Sequence, residues 1–311
     1  MYKKYIVFMV LFFLPLAAQN KYIYASRDHF AGNELKILSW NIYMLPSIIT
    51  QTNNSDRAKA IGEYLSKGEF DIILFQEAFT AESRRVIFSL VQDTYPYEYG
   101  PANSGGISLR LNSGLWILSK MPLRKIDEIE FMQYRGFDAF ARKGAILMEG
   151  ILNNLRFQIL NTHLNAGDCD ELRASQYRQI RNDLLDKYRT EDVVQIVCGD
   201  FNVDKNDGHN FKRLINDLAV RDYYAGGQCS YDGESNDLIS PKYKKRLLID
   251  YIFLRNNNSD NIHVVSNVHR LKRKWSEHHY DLSDHYPVSA TVTLQAESKP
   301  VFAESVAGML N

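Results

Sequence analysis

The segment Val193-Val194-Gln195-Ile196-Val197-Cys198-Gly199-Asp200-Phe201-Asn202 decides the fold, because an apolar run stops there at a polar cluster. A short apolar run bounded by turn formers reads as a buried strand, here Val193–Cys198. The residues that follow put a carboxylate and an amide at the strand's end. The same grammar recurs along the chain. Leu35–Trp40 ends in Asn41, Asp71–Phe75 in Gln76-Glu77, and Phe157–Leu160 in Asn161-Thr162-His163. Leu247–Ile249 runs into Asp250-Tyr251, and Ser283-Asp284-His285 stands just before the apolar run Pro287–Leu294. Strand ends meet at the rim of a sheet, so these polar groups are expected to converge on one cleft.

The intervening segments supply the rest of the architecture. Ser55–Lys67, Ala81–Asp93 and Asp170–Tyr188 read as helices, the first capped by Ser55. Phe70–Phe75, Leu115–Leu118, Leu247–Leu254, Ile262–Val268 and Pro287–Leu294 read as strands. Ala145–Leu152 and Leu155–Leu160 read as a hairpin, since Asn153-Asn154 suits a turn that needs positive φ. Hairpins mixed with crossovers argue against a purely parallel sheet. The expected fold is α/β, with two packed mixed β-sheets flanked by helices.

The chain of 311 residues is 45% apolar, enough for a sizeable core. Its start follows another logic. Lys3 and Lys4 precede the apolar run Ile6–Leu16, and Leu16-Ala17-Ala18-Gln19 supplies small residues. Residues 1–19 are therefore expected to be a secretory signal peptide, too short in its apolar run to span a bilayer. Residues 20–295 are expected to form one catalytic domain and 296–311 a weakly patterned tail, giving a secreted or periplasmic monomer. Without the leader's two lysines the net charge is −2, which offers no whole-molecule attraction for nucleic acid. Cys169, Cys198 and Cys229 have no zinc-site spacing and are too few for a disulfide framework. Cys198 reads as a small buried residue, and a Cys169–Cys229 bridge stays open.

The strand-end residues form a chemically coherent set. Asn41, Glu77 and Asp284 are hard oxygen donors of the kind Mg²⁺ prefers. His163 and His285 can give and take protons. Asp200, Asn202 and Asp250 can orient an imidazole, hold a water or donate to a phosphoryl oxygen. Phosphodiester hydrolysis needs these functions together. Neither a nucleophile elbow nor a phosphate-binding loop is present in the sequence. Taken singly, each residue is better explained as a turn former or a surface group. The ordered set is what carries the argument.

That set, Trp40-Asn41, Gln76-Glu77, Thr162-His163, Gly199-Asp200-Phe201-Asn202, Ile249-Asp250-Tyr251 and Ser283-Asp284-His285, resembles the endonuclease/exonuclease/phosphatase superfamily across about residues 35 to 294. The resemblance implies a four-layer α/β sandwich of the deoxyribonuclease type and a Mg²⁺ site involving Glu77 and Asn41, with Mn²⁺ or Co²⁺ as substitutes. It implies His285 as general base supported by Asp250, Asp200 and Asn202 beside the attacked phosphate, and His163 opposite.

Within the superfamily the sequence is similar to bacterial and neutral sphingomyelinases. The carriers are Asn41-Ile-Tyr-Met-Leu-Pro46, Thr162-His163-Leu164-Asn165-Ala166 with Arg173 and Gln176, and Ser283-Asp284-His285-Tyr286-Pro287-Val288. Asp138 and Lys143 match the Asp–Lys pair these lipases carry, which implies that Lys143 contacts the substrate phosphate. A solvated loop lysine is the alternative for that residue. The implied reaction releases ceramide and phosphocholine from membrane sphingomyelin, with peripheral membrane contact and no nucleic-acid partner. A secreted Mg²⁺-dependent endonuclease using the basic run Lys242–Arg246, or a silent binding protein on the same fold, are the other readings. Trp275, among the basic residues His269–Lys274, is expected on a rim loop as a membrane contact, unless it folds back onto the body.

Overall fold

The computed structural model describes residues 33–50, 52–106, 108–191, 193–255 and 262–294. The expected leader (1–19) and tail (296–311) lie outside the described residues. Two sheets face each other. The first runs in the order β12 (Ile262–Val268), β13 (Val288–Leu294), β1 (Glu34–Asn41), β2 (Ile72–Gln76), β4 (Trp116–Ser119), β3 (Tyr97–Tyr99). The second runs β11 (Asp250–Arg255), β8 (Val194–Asp200), β7 (Leu155–His163), β6 (Gly144–Leu152), β5 (Arg124–Glu130). A small ribbon pairs β9 (Tyr231–Asp232) with β10 (Arg246–Leu247). Helices α1 (Asn54–Leu65) and α2 (Ala81–Val91), like α3 (Asp170–Ile180) and α4 (Gly208–Leu218), lie side by side and flank the sheets. This is the expected α/β sandwich of two packed mixed sheets with flanking helices.

Period-two alternation explains how the layers assemble. On β1 and β2, Leu35, Ile37, Ile72 and Leu74 join the core between the sheets. Leu38, Trp40, Ile73 and Phe75 instead pack in the cluster with Ala58 and Ile61 of α1 and Ile87 of α2. Extending the first face along each strand brings Asn41 and Gln76 into the inter-sheet space, and both are buried. Polar groups there need partners. Gln76 Nε2 donates to Asn161 Oδ1 of the other sheet at 2.7 Å, and Asn161 Nδ2 returns a bond to Phe75 O at 2.9 Å.

Two local expectations are corrected. The first helix begins at Asn54 with Asn53 in the cap position at φ 46°, so Ser55 lies inside the first turn. Leu247–Leu254 is two strands rather than one. Ser230 Oγ accepts the amides of Ile249 and Asp250 at 3.1 and 3.2 Å, so a side chain replaces ladder bonds where the chain steps from β10 to β11. The three cysteines are unpaired, with Cys198 buried and Cys169 and Cys229 half-buried. The Asn153-Asn154 turn stands as expected, at φ 48° and 68°. Among the described residues, no helix is long and apolar enough to cross a membrane.

Candidate active site

Sheet register assembles half of the site before any side chain is considered. β7 and β8 run parallel with His163 opposite Asp200, while β8 and β11 run antiparallel with Asp200 opposite Asp250. Residues opposed in this way point to the same face. One rung at the sheet's end therefore presents an imidazole and two carboxylates side by side. Gly199 makes the rung possible. A Cβ there would sit 2.0 Å from Thr162 O, at a φ of 150°.

The first sheet supplies the facing half. Asn41 and Gln76 are neighbours on parallel strands. The next residue, Glu77, has φ 55°, a left-handed conformation that is rare outside glycine and characteristic of functional sites. Gly114, at φ 70°, packs beneath it, and a Cβ there would meet Glu77 Cα at 3.0 Å. Ser283 Oγ donates to Asn41 O at 2.7 Å, tying the segment that carries Asp284 and His285 to the end of β1. Trp40 Nε1 donates to His285 O at 2.9 Å.

The two halves meet through Asn41, whose Nδ2 donates to Glu77 Oε1 at 3.2 Å and to Asp200 Oδ2 at 3.0 Å. Its Oδ1 accepts the Tyr43 amide at 3.1 Å. His285 Nδ1 and Asp250 Oδ2 are 2.8 Å apart, and His285 Nε2 lies 3.8 Å from Asp200 Oδ2. Burial alone would drive off the imidazole's proton, but the surrounding carboxylates of Asp250, Asp200 and Asp284 win and raise its pKa well above the usual value. Asp200 itself is pushed up to about 6, by burial first and Asp250 second.

His163 behaves oppositely. Lys143 Nζ donates to His163 Nε2 at 2.9 Å and to Leu164 O at 3.1 Å, and pairs with Asp138 Oδ1 at 2.6 Å. Burial, then Lys143, then His285 hold the His163 pKa well below its usual value, so this imidazole is neutral. The positive charge on this side belongs to Lys143. The lysine is buried against His163 rather than solvated in a loop. Asn202, at φ 52°, gives its Nδ2 to Leu164 O at 3.1 Å, and its amide donates to Asp200 Oδ1 at 3.0 Å.

The donor set fits a hard divalent cation. Glu77 Oε2 is buried with no hydrogen-bond partner among the described residues. Burial, then the charge of Asp284, push Glu77 up to about 7, and burial also raises Asp284. Two desolvated acids whose charges repel are what a cation would relieve. Asp200, Asp250 and His285 also bring ligand atoms within 4.8 Å of one another. There the His285–Asp250 hydrogen bond occupies His285 Nδ1 and Asp250 Oδ2, an arrangement that suits proton handling, while Asp250 Oδ1 is buried without a hydrogen-bond partner among the described residues.

Several neighbours had no signal in the sequence. Arg57 of α1 is fully buried and donates to Ile42 O at 3.0 Å, Leu282 O at 2.9 Å and Tyr43 O, clamping the segments that carry Asn41 and Asp284. Burial lowers its pKa to about 10. Tyr231 meets the His285 ring edge-on at 5.3 Å. Its weakly patterned surroundings and the helical spacing of Arg57 hid both.

Trp275 is corrected as a free rim aromatic. Residues 272 and 281 form an isolated antiparallel bridge, so the segment is a short hairpin. The indole folds back, half-buried against the α1–α2 core cluster. It stacks on His279 at 5.1 Å and donates Nε1 to Asp281 O at 2.8 Å. In the basic run, Arg246 faces Asp232 at 3.4 Å and Glu234 at 3.9 Å, which offsets part of its charge.

A two-sheet α/β sandwich with acids and imidazoles gathered at one rim defines a class of phosphoester-processing folds. The chain belongs to the Endonuclease/Exonuclease/phosphatase family, whose model matches residues 38–285. Sphingomyelinase C 2 of Leptospira interrogans is 29% identical over 286 residues, covering 82% of this chain and 45% of that protein. Phospholipase C of Staphylococcus aureus is 28% identical over 287 residues, covering 83% of this chain and 87% of that one. Among solved structures, a Staphylococcus aureus beta toxin variant with bound magnesium ions superposes with a TM-score of 0.74 at 27% identity, covering 83% of this chain and 99% of that one. Sphingomyelinase C from Streptomyces griseocarneus, at 22% identity and a TM-score of 0.74, shares the fold.

Proposed function

We propose that the protein is a secreted, Mg²⁺-dependent phosphodiesterase that hydrolyses sphingomyelin to ceramide and phosphocholine. The observation that carries the reading is the Lys143–His163 contact at 2.9 Å, in the same cleft as the 2.8 Å His285–Asp250 pair. It joins a proton-accepting pair to a buried cation and a neutral imidazole, which together suit a phosphodiester that gains charge as it is attacked. The similarity to sphingomyelinase C and phospholipase C supports the lipid as substrate.

In this account His285 Nε2 takes the proton of the attacking water, while Asp250 holds Nδ1–H and stabilises the imidazolium that forms. Asp200 anchors Asn41 and the Asn202 amide, fixing the wall beside the phosphate. Lys143, whose ammonium holds Asp138, His163 and Leu164 O, would turn one of these bonds to a phosphoryl oxygen, and Asn202 lines the same side. Mg²⁺ held by Glu77, Asp284 and Asn41 would supply charge that offsets the phosphoryl oxygens and lowers the proton affinity of His285.

Residues 1–19 serve in this reading as a signal peptide, 20–295 as the catalytic domain and 296–311 as a tail, and the enzyme acts as a monomer in peripheral contact with membrane. The test is a parallel assay on sphingomyelin, phosphatidylcholine, lysophospholipid and plasmid DNA with Mg²⁺. Phosphocholine release from sphingomyelin with intact DNA is the expected result. Nicked DNA without phosphocholine would put the endonuclease reading first.

A further inference from the structure

The body-packed indole of Trp275 leaves open how such a site meets a bilayer, and a different surface answers. The 3₁₀-helix Gly136–Phe140, in the connection from β5 to β6, buries none of its residues. Phe137 is 92% exposed and Phe140 64%, and Met132 earlier in the same connection is 79% exposed. The neighbouring segment 108–111 is pinned alongside. Leu111 N donates to Phe140 O at 2.8 Å and Arg142 N to Leu111 O at 3.0 Å. It adds the exposed Leu109, while the Arg110 guanidinium lies 4.9 Å from the centre of the Tyr134 ring. Two loops thus hold a cluster of large apolar side chains out in solvent. Water ordinarily drives such groups inward, and an exposed cluster of this kind marks a contact surface.

We propose that this paired-loop surface, Leu109, Met132, Tyr134, Phe137 and Phe140, is where the protein docks on the lipid–water interface. The argument for a lipid occupant is continuity with the candidate site, so the inference rests on the function proposed above. Asp138 lies between the two exposed phenyls in sequence and pairs with Lys143 at 2.6 Å, and Lys143 in turn touches His163. A bilayer receiving Phe137 and Phe140 would therefore lie at the lip that admits its phosphodiester. The composition suits an interface: phenyl and thioether side chains reach toward hydrocarbon, while Tyr134 and the exposed Arg135 sit at headgroup level. Arg110 and Arg142 both pair with Glu130, so apolar insertion rather than free positive charge dominates, and docking does not require anionic lipid.

The experiment uses the full protein carrying both Phe137→Ser and Phe140→Ser, with Trp275→Ala alongside. Flotation with sphingomyelin–phosphatidylcholine vesicles in chelator reads docking without turnover. The double variant should bind about tenfold or more weakly, as loss of two buried phenyls predicts. Its Mg²⁺-dependent rate on a monomeric short-chain sphingomyelin should stay within about twofold of the parent, since uniform binding to the interface is separate from chemistry. Trp275→Ala should keep most of its vesicle binding. Unchanged flotation of the double variant would overturn the proposal. So would a soluble-substrate rate that falls in step with flotation, or a parent dimer that the substitutions dissociate. If the parent cleaves no sphingomyelin yet loses vesicle binding on substitution, the docking surface stands and the proposed reaction fails.

Discussion

His285 Nδ1 and Asp250 Oδ2 lie 2.8 Å apart in a buried pair that joins the segment before β13 to the start of β11. The contact bridges the two sheets at the rim where the other acids collect. Its other ring nitrogen, Nε2, is left facing Asp200 at 3.8 Å, beyond hydrogen-bond distance. His285→Ala should therefore fold and lose at least about two orders of magnitude in phosphocholine release. Asp250→Asn should also lose activity while keeping the shape of the pair, because the amide cannot stabilise an imidazolium. Turnover near the parent level in His285→Ala, with circular dichroism unchanged, would remove it as the base.

The buried carboxylate of Glu77, whose Oε2 has no hydrogen-bond partner among the described residues, sets the metal dependence. Chelation should abolish activity and Mg²⁺ restore it, and Glu77→Gln should raise the Mg²⁺ requirement sharply. Calorimetric titration of Mg²⁺ reads this directly; equal affinity in the variant would move the site elsewhere.

Protonation gives an independent handle on the same acids. Glu77 is raised from 4.5 to about 7 in the metal-free fold and Asp200 from 3.8 to about 6, while His285 is raised well above 6.5. Each group binds its proton more tightly folded than unfolded, so the stability it contributes is lost as pH rises through the folded value. His163 has the opposite shift and acts below 6.5, outside the upper part of this window. Thermal melts in chelator should fall as pH rises from about 4.5 through about 7, with His285 carrying the decline on above 6.5, and the stabilisation by Mg²⁺ should grow over the same interval. A flat metal-free profile would contradict the shared sign of these shifts.

Lys143 depresses His163 through charge as well as contact. In Lys143→Met the His163 imidazole should titrate at higher pH by proton NMR, and lipid hydrolysis should fall with the fold retained. An unmoved imidazole and an unchanged rate would return Lys143 to a structural role.

The close approach at Gly199 is a test of the rung itself. Gly199→Ala forces a Cβ to 2.0 Å from Thr162 O, so the strands must part. A loss of about 1–3 kcal/mol in stability is expected from overpacking. Activity should fall with it, because His163, Asp200 and Asp250 share that rung.

Much of this was legible in the chain because apolar runs of period two fix both a strand and the face its last residue takes. Asn41, His163 and Asp200 are the last residues of such strands, Asp250 opens one, and His285 stands just ahead of another. What escaped detection lacked that pattern. β5 is a half-exposed edge strand rich in charge, which reads as a loop. α4 is capped by Asp207, whose carboxylate accepts the Asn210 amide at 3.2 Å, but the glycine that opens it obscured the signal. Arg57 looked like an ordinary helix residue, since nothing local says its guanidinium ends among main-chain carbonyls. Trp275 was misplaced because a lone aromatic in a basic segment fits a rim or a fold-back equally, and only the stack on His279 and the bond to Asp281 decide between them.

The most direct test of the central claim is sphingomyelin hydrolysis by the purified protein in water enriched in heavy oxygen, with Mg²⁺, analysed by mass spectrometry of both products. Attack of a His285-activated water on phosphorus predicts ceramide without label and phosphocholine carrying one heavy oxygen. Label in the ceramide hydroxyl, or no phosphocholine at all from a correctly folded protein, would contradict the account.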